Sequence, residues 1–202
     1  MKNFILLSFF LIISSCKKEE KEIFDAPKLD DINKVIEAVI LQDSLPVFKK
    51  DTSSESISLQ LNKIDVKVMP SKNKGDLFDL EEPGNYVYVQ QLLYLSKKHS
   101  AFFPKKDSTY LLYQNEIYKS LNIDSSFSKK LKTISFEETQ ADKSGWDKHY
   151  YSISIPIFSK DGNTAYVEWN LYAGDYGTGF GIILKREKGI WKIIQGNRTW
   201  IS

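Results

Sequence analysis

Residues 151–202 read YSISIPIFSKDGNTAYVEWNLYAGDYGTGFGIILKREKGIWKIIQGNRTWIS, and this stretch decides the fold. Apolar and polar side chains alternate along 151–157 and again along 165–171, which is the pattern of half-buried β-strands. Lys160-Asp161-Gly162-Asn163 indicates a hairpin turn between them, and Glu187-Lys188-Gly189 indicates another further on. The stretch therefore predicts an antiparallel meander of four or five strands.

Helical spacing replaces this alternation upstream. From Asp30, apolar residues recur three and four apart up to Asp43-Ser44-Leu45-Pro46, where proline stops the pattern. The apolar stripe consists of Ile32, Val35, Ile36, Val39 and Ile40. Such a stripe predicts an amphipathic helix that packs on a sheet.

The middle of the chain has mixed patterns. Residues 56–69 alternate like a strand, and a phase change near Asn62-Lys63 indicates a bulge or a tight hairpin. Segments 86–96 and 108–121 favour helices over strands, whereas 133–137 favours a short strand. We therefore predict one α+β domain over residues 30–202, with N-terminal helices packed on a curved C-terminal antiparallel sheet.

Composition excludes several kinds of site. The 202-residue chain has one cysteine and two histidines, which rules out an intramolecular disulfide framework, a cysteine zinc site and a three-histidine site. Its formal charge of +2 offers no electrostatic argument for a nucleic-acid partner. We expect no cofactor and no metal.

The N-terminus carries a targeting signal. MKNFILLSFFLIISSC has one positive residue, a short apolar run and two small residues before Cys16, which is the layout of a secretory signal peptide. The apolar run is too short to span a bilayer. Its last residues, Ile13-Ser14-Ser15-Cys16, resemble the lipobox of bacterial lipoproteins, with Ile in place of the usual Leu.

The lipobox resemblance implies that residues 1–15 are removed and that Cys16 carries a thioether-linked diacylglycerol. Residues 16–29 then form a charged tether, and the membrane becomes a partner through the lipid at Cys16. Within the tether, Lys18-Glu19-Glu20 resembles the export signal of Bacteroidota-type surface lipoproteins. The expected location is the outer membrane, and both the periplasmic face and the cell surface stay open.

Sequence patterns for catalysis are weak. The glycine-rich segment 174–181 precedes a strand pattern rather than a helix, so we interpret it as a hairpin or bulge and not as a phosphate loop. Acidic residues cluster at 137–147, but adjacent glutamates on a strand point to opposite faces. His99 and His149 belong to no metal-binding motif.

Aromatic residues are concentrated in the C-terminal sheet, on both phases of its strands. They are Tyr150, Tyr166, Trp169, Tyr172, Tyr176, Phe180, Trp191 and Trp200. One set must face away from the main core, where it either lines a binding groove or forms a second packed face. The residues that we predict to bind a partner are Tyr166, Tyr172, Asp175 and Tyr176.

The C-terminal hairpin resembles that of many uncharacterised Bacteroidota-type lipoproteins. The resemblance rests on Gly179-Phe-Gly181, on the Lys188-Gly189-Ile-Trp191 turn and on the terminal Trp200-Ile-Ser. The same strands are loosely similar to the last strands of NTF2-like or cystatin-like domains. The resemblance is structural and implies no catalytic residue.

These observations favour a non-catalytic, lipid-anchored envelope protein that binds a protein or a glycan. An immunity- or inhibitor-type lipoprotein is the alternative. A third hypothesis is an envelope-polymer hydrolase that acts through Glu137, Asp142 or Asp147.

Overall fold

A computed structural model describes residues 23–52, 54–70, 85–94, 102–141 and 149–202. Cys16, the signal peptide and the charged run after it lie outside the described residues. None of the described helices has both the length and the apolar composition that crossing a membrane requires.

Five α-helices occur in the described residues: α1 Leu29–Gln42, α2 Val89–Tyr94, α3 Ser108–Tyr113, α4 Ser125–Ser128 and α5 Phe136–Gln140. Short 3-10 turns precede and follow α3, at Lys105–Asp107 and Gln114–Glu116. The strands are β1 Ser56–Ser58, β2 Gln60–Leu61, β3 Asp65–Lys67, β4 Tyr86–Tyr88, β5 Leu121–Asn122, β6 Thr133–Ile134, β7 His149–Ile153, β8 Ile157–Phe158, β9 Thr164–Ala173, β10 Tyr176–Glu187 and β11 Ile190–Ile201.

The main sheet has seven strands in the order β11-β10-β9-β7-β1-β6, with β8 beside β9. Strands β7, β9, β10 and β11 pair antiparallel, whereas β1 pairs parallel with both β7 and β6. The α+β class is confirmed. The sheet is nevertheless mixed and not the purely antiparallel meander that we predicted, because alternation along a strand does not specify the direction of its neighbour.

The first face of the sheet packs against α1. Ile32, Val35 and Val39 of the helix are buried against strand residues such as Val167 and Ile182. The C-terminal end of α1 is held to the sheet by a hydrogen bond from Trp169 Nε1 to Asp43 Oδ2. The predicted amphipathic stripe therefore lies in the main core.

A smaller layer covers part of the second face. Its core contains side chains from β3, β4, α2 and α3 together with sheet residues Tyr166 and Ile183. This layer corrects the prediction for residues 56–69, which we expected to contain a bulge or tight hairpin. Instead the chain leaves the main sheet after β1 and crosses to the smaller layer, where β3 pairs parallel with β4.

Three further local predictions need correction. Segment 86–96 begins as strand β4 before α2 starts, and 108–121 contains only a short helix before β5. Residues 133–134 form the predicted short strand as β6, but 136–140 form helix α5 because Ser135 caps it: the Glu138 backbone N–H donates to Ser135 Oγ at 3.2 Å. Glu137 and Glu138 thus lie in the first turn of a helix and not on a strand.

Candidate functional site

The second face of the sheet carries a row of polar and aromatic side chains. Successive side chains on a strand point to opposite faces, so every second residue of β9 points away from α1. These residues are Tyr166, Glu168, Asn170 and Tyr172. Their partners on β10 are, in the same order, Ile183, Gly181, Gly179 and Gly177. Glu168, Asn170 and Tyr172 therefore lie beside three glycines of β10, which have no side chains on that face.

The three glycines make room for aromatic rings. A Cβ atom on Gly179 would lie 2.1 Å from Trp200 Nε1, and one on Gly181 would lie 2.6 Å from Tyr166 Oη. The indole of Trp200 thus extends from β11 over the backbone of β10. There its Nε1–H donates to Asn170 Oδ1 at 2.7 Å.

An aromatic ladder, formed by Tyr150, Tyr172 and Trp200, crosses this face. The rings of Tyr150 and Tyr172 stack with their centroids 5.0 Å apart, and those of Tyr172 and Trp200 are 5.9 Å apart. All three side chains are half-buried. The three rings, which belong to β7, β9 and β11, form a partly exposed aromatic surface.

The smaller layer supplies a second aromatic wall. Tyr86 and Tyr88 of β4 contact each other edge to face, with centroids 5.3 Å apart. Gln91 of α2 supports this strand, because its Oε1 accepts a hydrogen bond from the Tyr88 backbone N–H at 2.9 Å. Tyr86 and Tyr88 thus flank Val87, which packs in the smaller core, and both tyrosines line the cleft described next.

A cleft of about 610 Å³ lies between the two layers. Residues of β4 and Gln91 line one side, and the second face of β9, β10 and β11 lines the other. Its sheet side includes Glu168, Asn170, Tyr172 and Trp200. The volume falls within the range of about 300–1,000 Å³ that is usual for small-molecule sites.

Glu168 is the acidic group of the cleft. The Tyr166 hydroxyl donates a hydrogen bond to Glu168 Oε1 at 2.5 Å. Burial raises the pKa of Glu168, although the Tyr166 hydrogen bond opposes that shift. Burial also raises the pKa of Tyr166, and the nearby Glu168 carboxylate adds to the effect. The pair thus places a desolvated carboxyl beside a neutral phenol.

The structure separates the four predicted binding residues. Tyr166 and Tyr172 line the cleft, Tyr166 buried at its inner end and Tyr172 half-buried. Asp175 is exposed in the turn between β9 and β10 and does not line the cleft. Tyr176 is 43% exposed and follows the opposite strand phase from Gly177, so it points away from the Tyr172 side. Cys16 lies outside the described residues.

Of the three acidic residues considered for hydrolysis, Glu137 alone lies in the described part of the chain. Glu137 is exposed in α5, while Asp142 and Asp147 lie outside the described residues. His149 is exposed and its Nδ1 lies 3.9 Å from Glu55 Oε1; His99 is also outside the described residues. Across the described ranges, His, Cys, Asp and Glu form no group of three that could hold a metal.

Sequence reasoning missed Glu168, Asn170 and the two tyrosines of β4. The strand pattern contained a signal for the first two, because both are polar residues in phase with Tyr166 and Tyr172. No local pattern placed Tyr86 and Tyr88 in the same cleft as Glu168, since β4 and β9 are about eighty residues apart in the chain.

Comparison with known proteins found no relative: no protein-family model matches the chain, and neither a curated protein nor a solved structure is significantly similar to it. Inferences about function therefore depend on the geometry of the cleft and on the N-terminal signal predicted from the sequence.

Proposed function

We propose that this protein is a lipid-anchored module of the bacterial cell envelope whose cleft binds a glycan. Cys16 would hold it at the outer membrane, and residues 17–22 would space the domain from the bilayer. The single observation that carries the binding proposal is the convergence of two aromatic walls on hydrogen-bonding groups within one cleft.

Sugars match this combination of groups. The C–H face of a pyranose ring is apolar and stacks on aromatic rings, while its hydroxyls need nearby donors and acceptors. Tyr172 and Trp200 offer half-buried rings, and Glu168, Asn170 and Asn197 lie on the same side of the sheet. The curved sheet predicted from the sequence belongs to this proposal, since a concave face would bring both walls onto one ligand.

The ladder also favours an extended ligand over a single sugar. Tyr150 continues the stack of Tyr172 and Trp200 onto β7, beyond the residues that line the cleft. Successive rings along a groove are suited to successive sugar units. We therefore assign an oligosaccharide or the end of a polysaccharide as the ligand.

Binding of the full-length protein to an array of bacterial-envelope glycans and other polysaccharides tests the proposal. We expect Tyr172→Ala to weaken binding of the best glycan by about tenfold or more, because one stacking ring is lost. Tyr176→Ala is the matched control, since it removes an exposed tyrosine from the opposite face.

Equal losses in the two variants would contradict a role for the cleft. If the wild-type protein binds no glycan on the array, the proposed function is wrong. Thermal melting of both variants shows whether each is still folded.

A further inference from the structure

Glu168 lies in the cleft, and the described residues supply no counter-charge to it. No lysine, arginine or histidine of the described residues forms an ion pair with it. Its side-chain hydrogen bond comes from the neutral hydroxyl of Tyr166. Burial raises its pKa, so the ionised form costs the free protein stability.

The cations near the cleft are directed elsewhere. Arg198 lines the cleft, but its guanidinium lies 5.5 Å from the ring centroid of Phe180, which packs on the α1 face. The Lys67 ammonium lies 4.2 Å from the ring centroid of Tyr86, on the far wall. Glu168 thus remains the acidic group of a site whose other described lining side chains are neutral, apart from Arg198.

Aromatic rings around a carboxylate suit a cation. The negative faces of Tyr and Trp rings attract an ammonium group, and more strongly where the contact is desolvated. Tyr86 and Tyr88 on one wall and Tyr172 and Trp200 on the other line the same cleft as Glu168. A ligand cation would supply the counter-charge that the described residues do not provide.

We infer that the glycan ligand carries a free amino group, whose ammonium pairs with the Glu168 carboxylate inside the aromatic cleft. This inference rests on the proposed glycan-binding function and names its ligand class: an oligosaccharide of unacetylated amino sugar. Acetylation of the same nitrogen removes the charge and leaves Glu168 unpaired, so the acetylated oligosaccharide is the weaker ligand.

Titration calorimetry with two hexasaccharides tests this inference on the full-length protein at pH 6. One probe is the glucosamine hexamer, whose amino groups are charged at this pH, and the other is its fully N-acetylated form. We expect the wild-type protein to bind the charged hexamer about tenfold more tightly or better. Glu168→Gln should remove that preference, so that the variant binds the two hexamers about equally.

Asp175→Asn is the matched control. It removes the same charge from the exposed turn outside the cleft, so the preference should persist. Thermal melting shows that each variant is folded.

Several results would overturn the inference. They are a preference that survives Glu168→Gln, one that Asp175→Asn abolishes equally, or wild-type binding in which the acetylated hexamer is as tight as the charged one. The last result leaves the glycan-binding proposal intact. Failure of both hexamers to bind also overturns the inference, and the array then decides the proposed function separately. Direct binding of a lysine-rich peptide to the wild-type protein, when neither hexamer binds, assigns the cleft to a protein ligand instead.

Discussion

At Glu168 stability and recognition conflict, because the buried carboxylate destabilises the free protein but is the group that we expect to pair with a ligand ammonium. A buried carboxylate without a cation is unfavourable, yet it lies in the middle of β9, where a neutral side chain of the same shape would fit. Gln can still accept the hydrogen bond from Tyr166. The conflict therefore yields a prediction about folding that is independent of any ligand.

Glu168→Gln should raise the free energy of unfolding at pH 8, by an amount on the order of 1 kcal/mol. Because the folded-state pKa of Glu168 is raised, the folded wild-type protein gains stability as the pH falls through that pKa. The two stability curves should converge towards the ordinary carboxyl pKa of 4.5. Chemical denaturation at pH 8, 6 and 4.5 measures this, and a variant less stable than wild type at pH 8 refutes it.

Gly179 has no side chain, and this leaves the space in which Trp200 and Asn170 meet. A methyl group there would meet Asn170 Oδ1 at 2.4 Å and the Trp200 indole even closer. The hydrogen bond between these two side chains depends on that space. The glycine-rich segment, which we interpreted as a hairpin or bulge, therefore includes the part of β10 over which the Trp200 ring lies.

At the scale of elements, amide side chains take the place of missing strand neighbours. The Gln114 amide both donates to the Phe158 carbonyl and accepts from the Phe158 N–H, each at 2.9 Å. Asn115 bonds the N–H and carbonyl of Val66 in the same way, at 2.8 Å. Gln42 of α1 bridges the Trp191 carbonyl and the Ile193 N–H on β11. Gln114 and Asn115 thus supply hydrogen-bond partners for the short strands β8 and β3, and Gln42 supplies them for the long strand β11.

Gln114→Ala should lower the free energy of unfolding by about 1–3 kcal/mol, because the N–H and C=O of Phe158 lose their partners in a part-buried position. Equilibrium denaturation of the full-length chain measures the loss. Gln140→Ala is the control: its amide bonds only the neighbouring Thr139 on an exposed helix, so its effect should stay within about 0.5 kcal/mol. Equal losses for both variants would refute this role for Gln114.

These pairings explain why elements were predicted better than their partners. The stripe of α1 and the alternation of β9 are local patterns, and both elements occur where the sequence places them. Periodicity does not show that β1 pairs with β7 and β6. It also does not show that Ser135 caps helix α5. Of the candidate site, Tyr166 and Tyr172 were predictable, but the opposite wall was not.

At the scale of the whole molecule, the segment after the charged run docks at one end of the domain. The Phe24 ring packs against Tyr110 and Tyr113, with centroids 5.4 and 5.3 Å apart, and the Lys160 ammonium lies 5.0 Å from its centroid. Lys160 precedes β9, whereas Tyr172 lies near the far end of that strand. At about 3.4 Å per residue, Thr164 and Tyr172 are roughly 27 Å apart. The outer end of the aromatic ladder is thus remote from the docked Phe24.

Cys16→Ser should move the protein from the membrane fraction to the soluble fraction and abolish incorporation of labelled palmitate, because the acyl chains need the thiol. Glycan affinity should be unchanged, since the aromatic ladder lies far from the docked segment. Fractionation, labelling and calorimetry check the three outcomes. Palmitate incorporation that persists in Cys16→Ser would contradict the lipidation site, and a weakened affinity would contradict the separation of anchor and cleft.

The sequence by itself determined the elements with strong local periodicity, the α+β class and the expectation of a lipid anchor at Cys16. These depend on residues close together in the chain, whose spacing or order carries the information. Only the tertiary structure decided which aromatic residues share a surface: it placed Tyr172 beside Trp200 and directed Tyr176 to the other face. It also placed Glu168 in the cleft without an ion-pair partner among the described residues, because register and long-range packing, not composition, decide which charges meet.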